Sequence, residues 1–109
     1  MSRYTSHLAG RSYGRLGTVV AEPPQITIHG YLNTHAQQRA LERNMTLQEQ
    51  QEIVNDPLVV LEQAQGYSFV FLNERGAVVL TRDGEVRTTY GRSNFDDGIW
   101  TILAECGAF

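Results

Sequence analysis

Lysine is absent from this chain, and all nine basic residues are arginine, set against twelve acidic residues. The formal net charge of -3 argues against a broad electrostatic coat on nucleic acid. Arginine nevertheless offers a planar fork that binds phosphate bidentately and stacks on bases. The net charge therefore limits the area over which this chain could bind nucleic acid, but it does not exclude a small arginine-based site for phosphate or bases.

Cysteine is nearly absent, and the single Cys106 excludes an internal disulfide and a cysteine-based zinc site. Cys106 ends an apolar helical pattern, which favours a small buried side chain over a nucleophile. No run of about 18 apolar residues exists, and the first residues lack the apolar core of a signal peptide. The sequence thus predicts no membrane span and no export signal within this chain.

The length of 109 residues with 41% apolar residues predicts one globular domain. Near the N-terminus only residues 16–21 fit a short strand, and Pro23 and Pro24 end it. We therefore predict a mobile arm or linker over residues 1–24 and a single domain over residues 25–109.

Two short helices are predicted next. The first covers residues 35–44, with Thr34 capping its first turn and Gln37 reaching back to the Thr34 backbone. The second begins after Thr46, with Glu49 at the capping-box position, and the Asn-Asp-Pro run that follows ends it.

Strand patterns flank these helices. Residues 25–29 alternate apolar and polar side chains, which indicates a short strand or an extended entry to the first helix. After Pro57 the period of the apolar residues changes to two, which is typical of strands. Asp83-Gly84 is a strong hairpin signal. Four β-rich runs result: residues 58–63, 67–73, 77–82 and 85–90.

A closing helix follows, with Asn94 as its expected cap and Gly107 placed to end it. Trp100 is expected to pack against the sheet, a base-stacking role being the lesser alternative. The predicted fold is α+β: N-terminal helices packed on a four-stranded antiparallel β-meander, with a closing C-terminal helix.

The first helix carries the main candidate site. His35, Arg39 and Arg43 recur every four residues, which places an imidazole and two guanidiniums along one stripe. Three such groups repel each other unless an anion lies across them, so the stripe suits a phosphate. The alternative is an ordinary solvated helix face, with nearby acids as partners.

The last strand adds two hydroxyl donors. A regular strand over residues 85–90 places Val86, Thr88 and Tyr90 on one face, with the two hydroxyls about 7 Å apart along the strand. Both can donate to a phosphate oxygen, although threonine and tyrosine also simply suit a strand. The other face is then assigned to Glu85, Arg87 and Thr89.

Together these side chains supply what RNA cleavage without a metal requires. His35 is a general base or acid near neutral pH, Arg39 or Arg43 is a fixed positive charge, and Thr88 and Tyr90 donate hydrogen bonds. The nucleophile would be the ribose 2′-OH, which restricts the route to RNA.

The order of these residues resembles a known group of proteins. The matching elements are His-Ala-x-x-Arg-x-x-x-Arg at residues 35–43, the Asn-Asp-Pro helix end, the Gly-Ala-Val-Val-Leu-Thr-Arg-Asp-Gly hairpin and Thr-x-Tyr at residues 88–90. Over residues 26–105 the chain resembles toxin nuclease domains of the barnase/EndoU/colicin/RelE-like (BECR) group. It resembles more closely the C-terminal toxin domains of contact-dependent growth inhibition and related polymorphic systems.

The resemblance implies a ribonuclease, often directed at tRNA, that is delivered from the surface of the producing bacterium into the cytoplasm of a target cell. A cognate immunity protein would neutralise it, and the free toxin is expected to be a monomer without metal or cofactor. The catalytic roles would fall on His35, Arg43, Thr88 and Tyr90. The predicted substrate-binding residues are Arg39, Arg87 and Arg92.

Other interpretations remain open at this point. His29, at a strand end beside Gly30, rivals His35, whereas His7 lies in the predicted arm and outside the site. A non-enzymatic binding or regulatory module of a toxin/antitoxin-type system fits the acidity and small size. A metal-dependent hydrolase is disfavoured, because His29 and His35 are six residues apart with no acid at ligand spacing.

Overall fold

The computed structural model describes residues 3–108 and has the α+β class that the sequence predicts. Four neighbouring antiparallel strands form the middle of its sheet, and their short links explain why each pairs with the next along the chain. These strands are β3 (Val59–Gln63), β4 (Ser68–Asn73), β5 (Gly76–Thr81) and β6 (Glu85–Gly91).

The sheet has six strands, so the predicted four-stranded meander is wrong at both edges. A two-residue strand, β1 (Thr18–Val19), pairs antiparallel with β3, and another, β2 (Gly30–Tyr31), pairs parallel with β6. The strand order is β1-β3-β4-β5-β6-β2. Residues 25–29, predicted as a short strand or an extended entry to the first helix, form no strand and lead into β2. The short strand predicted over residues 16–21 is present at Thr18–Val19, whereas the pairing of each edge strand depends on tertiary contacts that the sequence pattern does not show.

Part of the segment predicted as a mobile arm or linker, residues 1–24, contacts the sheet within the described residues. Leu8 is buried in the core. The Tyr4 hydroxyl donates to the Val20 carbonyl at 2.6 Å and accepts from the Val60 N–H at 3.2 Å. A tyrosine that hydrogen-bonds to backbone across two segments anchors the chain without any periodic pattern, so periodicity does not detect it.

Two helices lie between β2 and the four central strands: α1 (Thr34–Glu42) and α2 (Leu47–Asn55). The predicted capping box of α2 is present, because the Thr46 side chain accepts from the Glu49 N–H at 3.0 Å and the Glu49 carboxylate accepts from the Thr46 N–H at 3.4 Å.

The cap of α1 is one residue earlier than predicted. Asn33, in an extended conformation, accepts from the Ala36 N–H at 2.8 Å, so Asn33 rather than Thr34 is the N-cap. Asparagine ranks above threonine at this position, which accounts for the shift.

The closing helix, α3, covers Asp97–Glu105. Its N-cap is Asp96, which accepts from the Ile99 N–H at 3.0 Å, and not Asn94 as predicted. Asn94 instead accepts from the Gly91 N–H in the turn before the helix. Gly107 ends α3 as predicted, with a φ of +75° that a residue with a side chain adopts rarely.

The helices pack on both faces of the sheet. On one face, called the α3 face here, Ile102 and Leu103 of α3 share a core with alternate strand residues such as Val70. On the other, the α2 face, Ile53 of α2 packs with residues such as Val78. Within residues 3–108 no helix is both long enough and apolar enough to cross a membrane.

Candidate functional site

The last strand, β6, contains a β-bulge at Arg87. Leu80 of β5 pairs with Val86, whereas the preceding Val79 pairs with Thr88. Arg87 therefore has no partner in β5, and one extra residue is present in β6. Such an insertion changes which side chains share a face of the sheet.

The bulge places three candidate side chains on the α3 face. Val86 packs in the core of the α2 face, and Tyr90 packs against the core of the α3 face. Arg87 also points to the α3 face, since its guanidinium donates to the Ser68 hydroxyl at 3.2 Å and Ser68 alternates in step with Val70.

The predicted division of β6 is therefore wrong across the bulge. Arg87 lies with Thr88 and Tyr90, and Val86 lies opposite them with Thr89. The prediction assumed strict alternation, which the bulge breaks between Val86 and Thr88. Thr88 and Tyr90 follow the bulge, so they still share a face as expected.

Arg43 joins α1 to β6. Its Nη1 donates to the Thr89 carbonyl at 2.8 Å and to the Thr88 hydroxyl at 3.4 Å, and its Cζ lies 4.6 Å from the centroid of the Tyr90 ring. Because β2 pairs with only the first two residues of β6, the Thr89 carbonyl faces α1 rather than another strand. Arg43 satisfies this carbonyl and reaches the α3 face beyond it.

His35 and Arg39 form a second pair on the exposed surface of α1. The Arg39 Nε donates to the His35 Nε2 at 3.3 Å, which requires a neutral imidazole with a lone pair at Nε2. His35 and Arg43 are two helical turns apart, about 12 Å along the axis. The structure thus brings Arg43, Thr88 and Tyr90 together, and it brings His35 to Arg39 rather than to the two hydroxyls.

The two remaining predicted substrate-binding residues each lie over an aromatic ring. The Arg87 Cζ is 5.7 Å from the Tyr67 ring centroid. The Arg92 Cζ is 5.0 Å from the Trp100 ring centroid, and Arg92 donates to the Glu74 carbonyl at 2.9 Å. Sequence reasoning missed Tyr67, because only the bulge at Arg87 brings that guanidinium across the sheet to it.

The rival histidine lies elsewhere. The His29 N–H donates to the Gly84 carbonyl at 2.8 Å, and the His29 ring packs against Gly84 at the β5–β6 hairpin. Gly84 has a φ of +94°, and a side chain at this position would collide with the Thr27 carbonyl. His29 therefore borders the hairpin turn, at the end of β6 opposite to Tyr90.

Cys106 is half-buried after α3, and burial raises the pKa of its thiol above the usual value. A thiol with a raised pKa holds its proton at neutral pH and is a poor nucleophile. The side chain thus fits a structural role.

An open groove elsewhere on the surface offers little acid–base chemistry. It runs along residues 22–27, which face Val54, Asn55 and Pro57, and Glu22 is its one ionisable group among the described residues. None of the predicted site residues lines it. Among residues 3–108, no three His, Cys, Asp or Glu side chains are grouped so that they could hold a metal ion.

Comparison of the chain with known proteins finds no matching family model, no matching curated protein and no matching solved structure. Any inference about function therefore rests on the geometry of α1 and β6.

Proposed function

We propose that this chain is a metal-independent endoribonuclease whose substrate binds along α1 and β6. The supporting observation is the contact of Arg43 with both Thr88 and the Tyr90 ring. A fixed cation beside two hydroxyl donors suits a phosphodiester, because negative charge builds up on its oxygens during cleavage.

The proposed reaction is an internal transesterification. His35 removes the proton from a ribose 2′-OH, and the 2′-oxygen bonds to the adjacent phosphorus. Arg43 and Thr88 stabilise the added negative charge on the phosphoryl oxygens. The bond from phosphorus to the 5′-oxygen breaks, and that oxygen takes a proton from an acid, a role that we assign to the Tyr90 hydroxyl. The products are a 2′,3′-cyclic phosphate and a 5′-hydroxyl.

Arg39 has a definite part in this scheme. In the free protein its donation to His35 Nε2 occupies the lone pair that a general base needs. A phosphate is a stronger acceptor for a guanidinium than a neutral imidazole nitrogen is. Substrate would therefore draw Arg39 away and free the His35 base when RNA is bound.

The resemblance over residues 26–105 adds a substrate, a biological role and a partner to the proposal. By that analogy the fold is BECR-like, the substrate is tRNA, and the protein acts as a toxin in interbacterial competition. It would be delivered from the producing cell into the cytoplasm of a target cell. A cognate immunity protein would be its natural partner, and the free toxin would be a monomer.

The test is cleavage of total bacterial RNA in EDTA, resolved on a denaturing gel with probes for individual tRNAs. Wild type should give discrete fragments, and His35→Ala and Arg43→Ala should give none. His7→Ala and His29→Ala are matched controls, because both histidines are exposed and lie outside the Arg43 cluster, and both should retain full activity. Intact RNA with folded wild type would reject the proposal.

A second candidate is a non-enzymatic RNA-binding module. It is favoured by one observation, that His35 hydrogen-bonds to Arg39 and not to Thr88 or Tyr90. This candidate predicts that the wild-type chain binds RNA and leaves it intact. The cleavage gel above, run beside a binding assay, separates the two.

A further inference from the structure

Three arginine–aromatic pairs follow one another around β6. They are Arg87 over Tyr67, Arg43 over Tyr90 and Arg92 over Trp100, with Cζ-to-centroid distances of 5.7, 4.6 and 5.0 Å. Pairs of this kind occur roughly once per 70–80 residues in proteins. This chain has three of them along a single strand and the turn after it.

All three pairs border the α3 face of the sheet. Tyr90 and Trp100 both pack against the core on that side, and Arg87 reaches Ser68 there. Without the bulge, regular alternation would separate Arg87 from Thr88 and Tyr90. The bulge is therefore the feature that makes the three pairs one surface, called the β6 strip here.

The β6 strip combines charge with flat surfaces. A guanidinium held over an aromatic ring is itself a planar cation that stacks on a nucleobase, and the ring adds apolar area. Tyr67 has 48% of its surface exposed, and Arg87 and Arg92 are exposed. The three cations lie in a chain with a net charge of -3, so the site suits a short segment rather than a long backbone.

We propose that the β6 strip binds unpaired bases of single-stranded RNA by stacking, so that the substrate is a loop or a single-stranded end rather than a duplex. A duplex hides the faces of its bases, which an Arg–aromatic pair needs, whereas a loop exposes them. Arg87 and Tyr90 are about 10 Å apart along the strand, which places the Arg87–Tyr67 pair beside the proposed cleavage site at Thr88. This inference rests on the proposed function for its substrate but concerns binding, which is measured separately.

The experiment uses a fluorescently labelled 12-nucleotide RNA in which every 2′-hydroxyl is methylated, so that cleavage is blocked. Anisotropy titrations compare the single strand with the same strand annealed to its complement. Wild type should bind the single strand at least 10-fold more tightly. Tyr67→Ala should weaken that binding about 5- to 100-fold, and Tyr67→Phe should retain it because the ring remains.

Arg87→Ala should lose more affinity than Arg15→Ala, a matched control that removes the same charge from an exposed arginine outside the strip. Circular dichroism spectra and melting temperatures check that each variant is folded. Equal affinity for duplex and single strand, or full binding by folded Tyr67→Ala, would overturn the inference. If wild type binds the single strand but leaves unmodified RNA intact, the β6 strip stands and the ribonuclease proposal fails. If wild type cleaves RNA but binds single strands no more tightly than duplex, the ribonuclease proposal stands and the inference about the β6 strip fails.

Discussion

The Arg43 guanidinium lies 4.6 Å from the Tyr90 ring centroid while it donates a 2.8 Å hydrogen bond to the backbone of the residue before that tyrosine. One side chain thereby fixes the end of α1 against β6 and orients the phenol. The same contact is central to the proposed site, so structure and activity should depend on it together.

Replacing Arg43 by lysine tests this double role. Lysine keeps the charge but has no planar fork to stack on Tyr90 while bonding to Thr89. We expect Arg43→Lys to lower the free energy of unfolding by about 1–2 kcal/mol and to reduce cleavage about 100-fold. Urea denaturation and the RNA gel measure the two effects.

Arg39→Lys is the matched control, because Arg39 is exposed and its side chain bonds only to His35 among the described residues. Its unfolding free energy should stay within about 0.5 kcal/mol of wild type. Equal destabilisation by both substitutions would show that Arg43 does not anchor α1.

Substitutions at Thr88 separate the role of its hydroxyl in binding the charged phosphate from the role of its side chain in packing. Thr88→Val preserves size and shape but removes the donor, and we expect a roughly 100-fold lower cleavage rate with unchanged stability. Thr88→Ser keeps the hydroxyl and should retain most activity. Kinetics on a labelled tRNA give the comparison, and a fully active Thr88→Val would remove this residue from the mechanism.

The caps of α1 give a prediction about stability alone. Asn33→Ala should cost about 1 kcal/mol, because it removes the acceptor of the Ala36 N–H. Thr34→Ala should change the unfolding free energy by less than about 0.5 kcal/mol, since the Thr34 side chain is exposed and is not the cap. Thermal melts of the two variants test the assignment, and the reverse order of effects would contradict it.

Acid should weaken the attachment of the N-terminal segment. Hydrogen bonds from Arg3 hold the pKa values of Asp56 and Glu74 below their ordinary 3.8 and 4.5. The contribution to stability is therefore present above about pH 4.5 and is lost as the pH falls through the lowered values. The side chains of Arg3 and Asp56 are 45% exposed and that of Glu74 is 32% exposed, so screening by solvent limits the effect to about 1 kcal/mol or less.

Arg3→Gln removes this contribution. Melting temperatures at pH 7 and pH 3 should differ less for Arg3→Gln than for wild type, and 0.5 M salt should narrow the difference between the proteins. An identical pH dependence in both proteins would show that the Arg3 contacts add nothing.

Local patterns explain which parts of the fold were predictable. The capping box at Thr46, the Asp83-Gly84 hairpin and the α3 end at Gly107 each depend on a few neighbouring residues, and each is present. The two edge strands, by contrast, contain two residues each, and the residues that pair with them lie 42 or more positions away in the sequence.

Prediction of the candidate site needed both local sequence patterns and contacts between residues far apart in the sequence. Helical spacing sufficed to place His35 beside Arg39. The reach of Arg43 over Tyr90 and the position of Arg87 were not predictable, because a bulge follows from the pairing of β5 with β6 and leaves no signal in either strand alone.

The most direct test of the central claim is the chemistry of the RNA ends. Purified wild type should be incubated in EDTA with a single tRNA that it cleaves, and the fragments analysed by mass spectrometry. We predict a 2′,3′-cyclic phosphate on the upstream fragment, a 5′-hydroxyl on the downstream fragment, and no cleavage when the ribose at that position is 2′-deoxy. Fragments with a 3′-hydroxyl and a 5′-phosphate, or cleavage of the 2′-deoxy substrate, would contradict attack by the 2′-oxygen and with it the proposed roles of His35, Arg43, Thr88 and Tyr90.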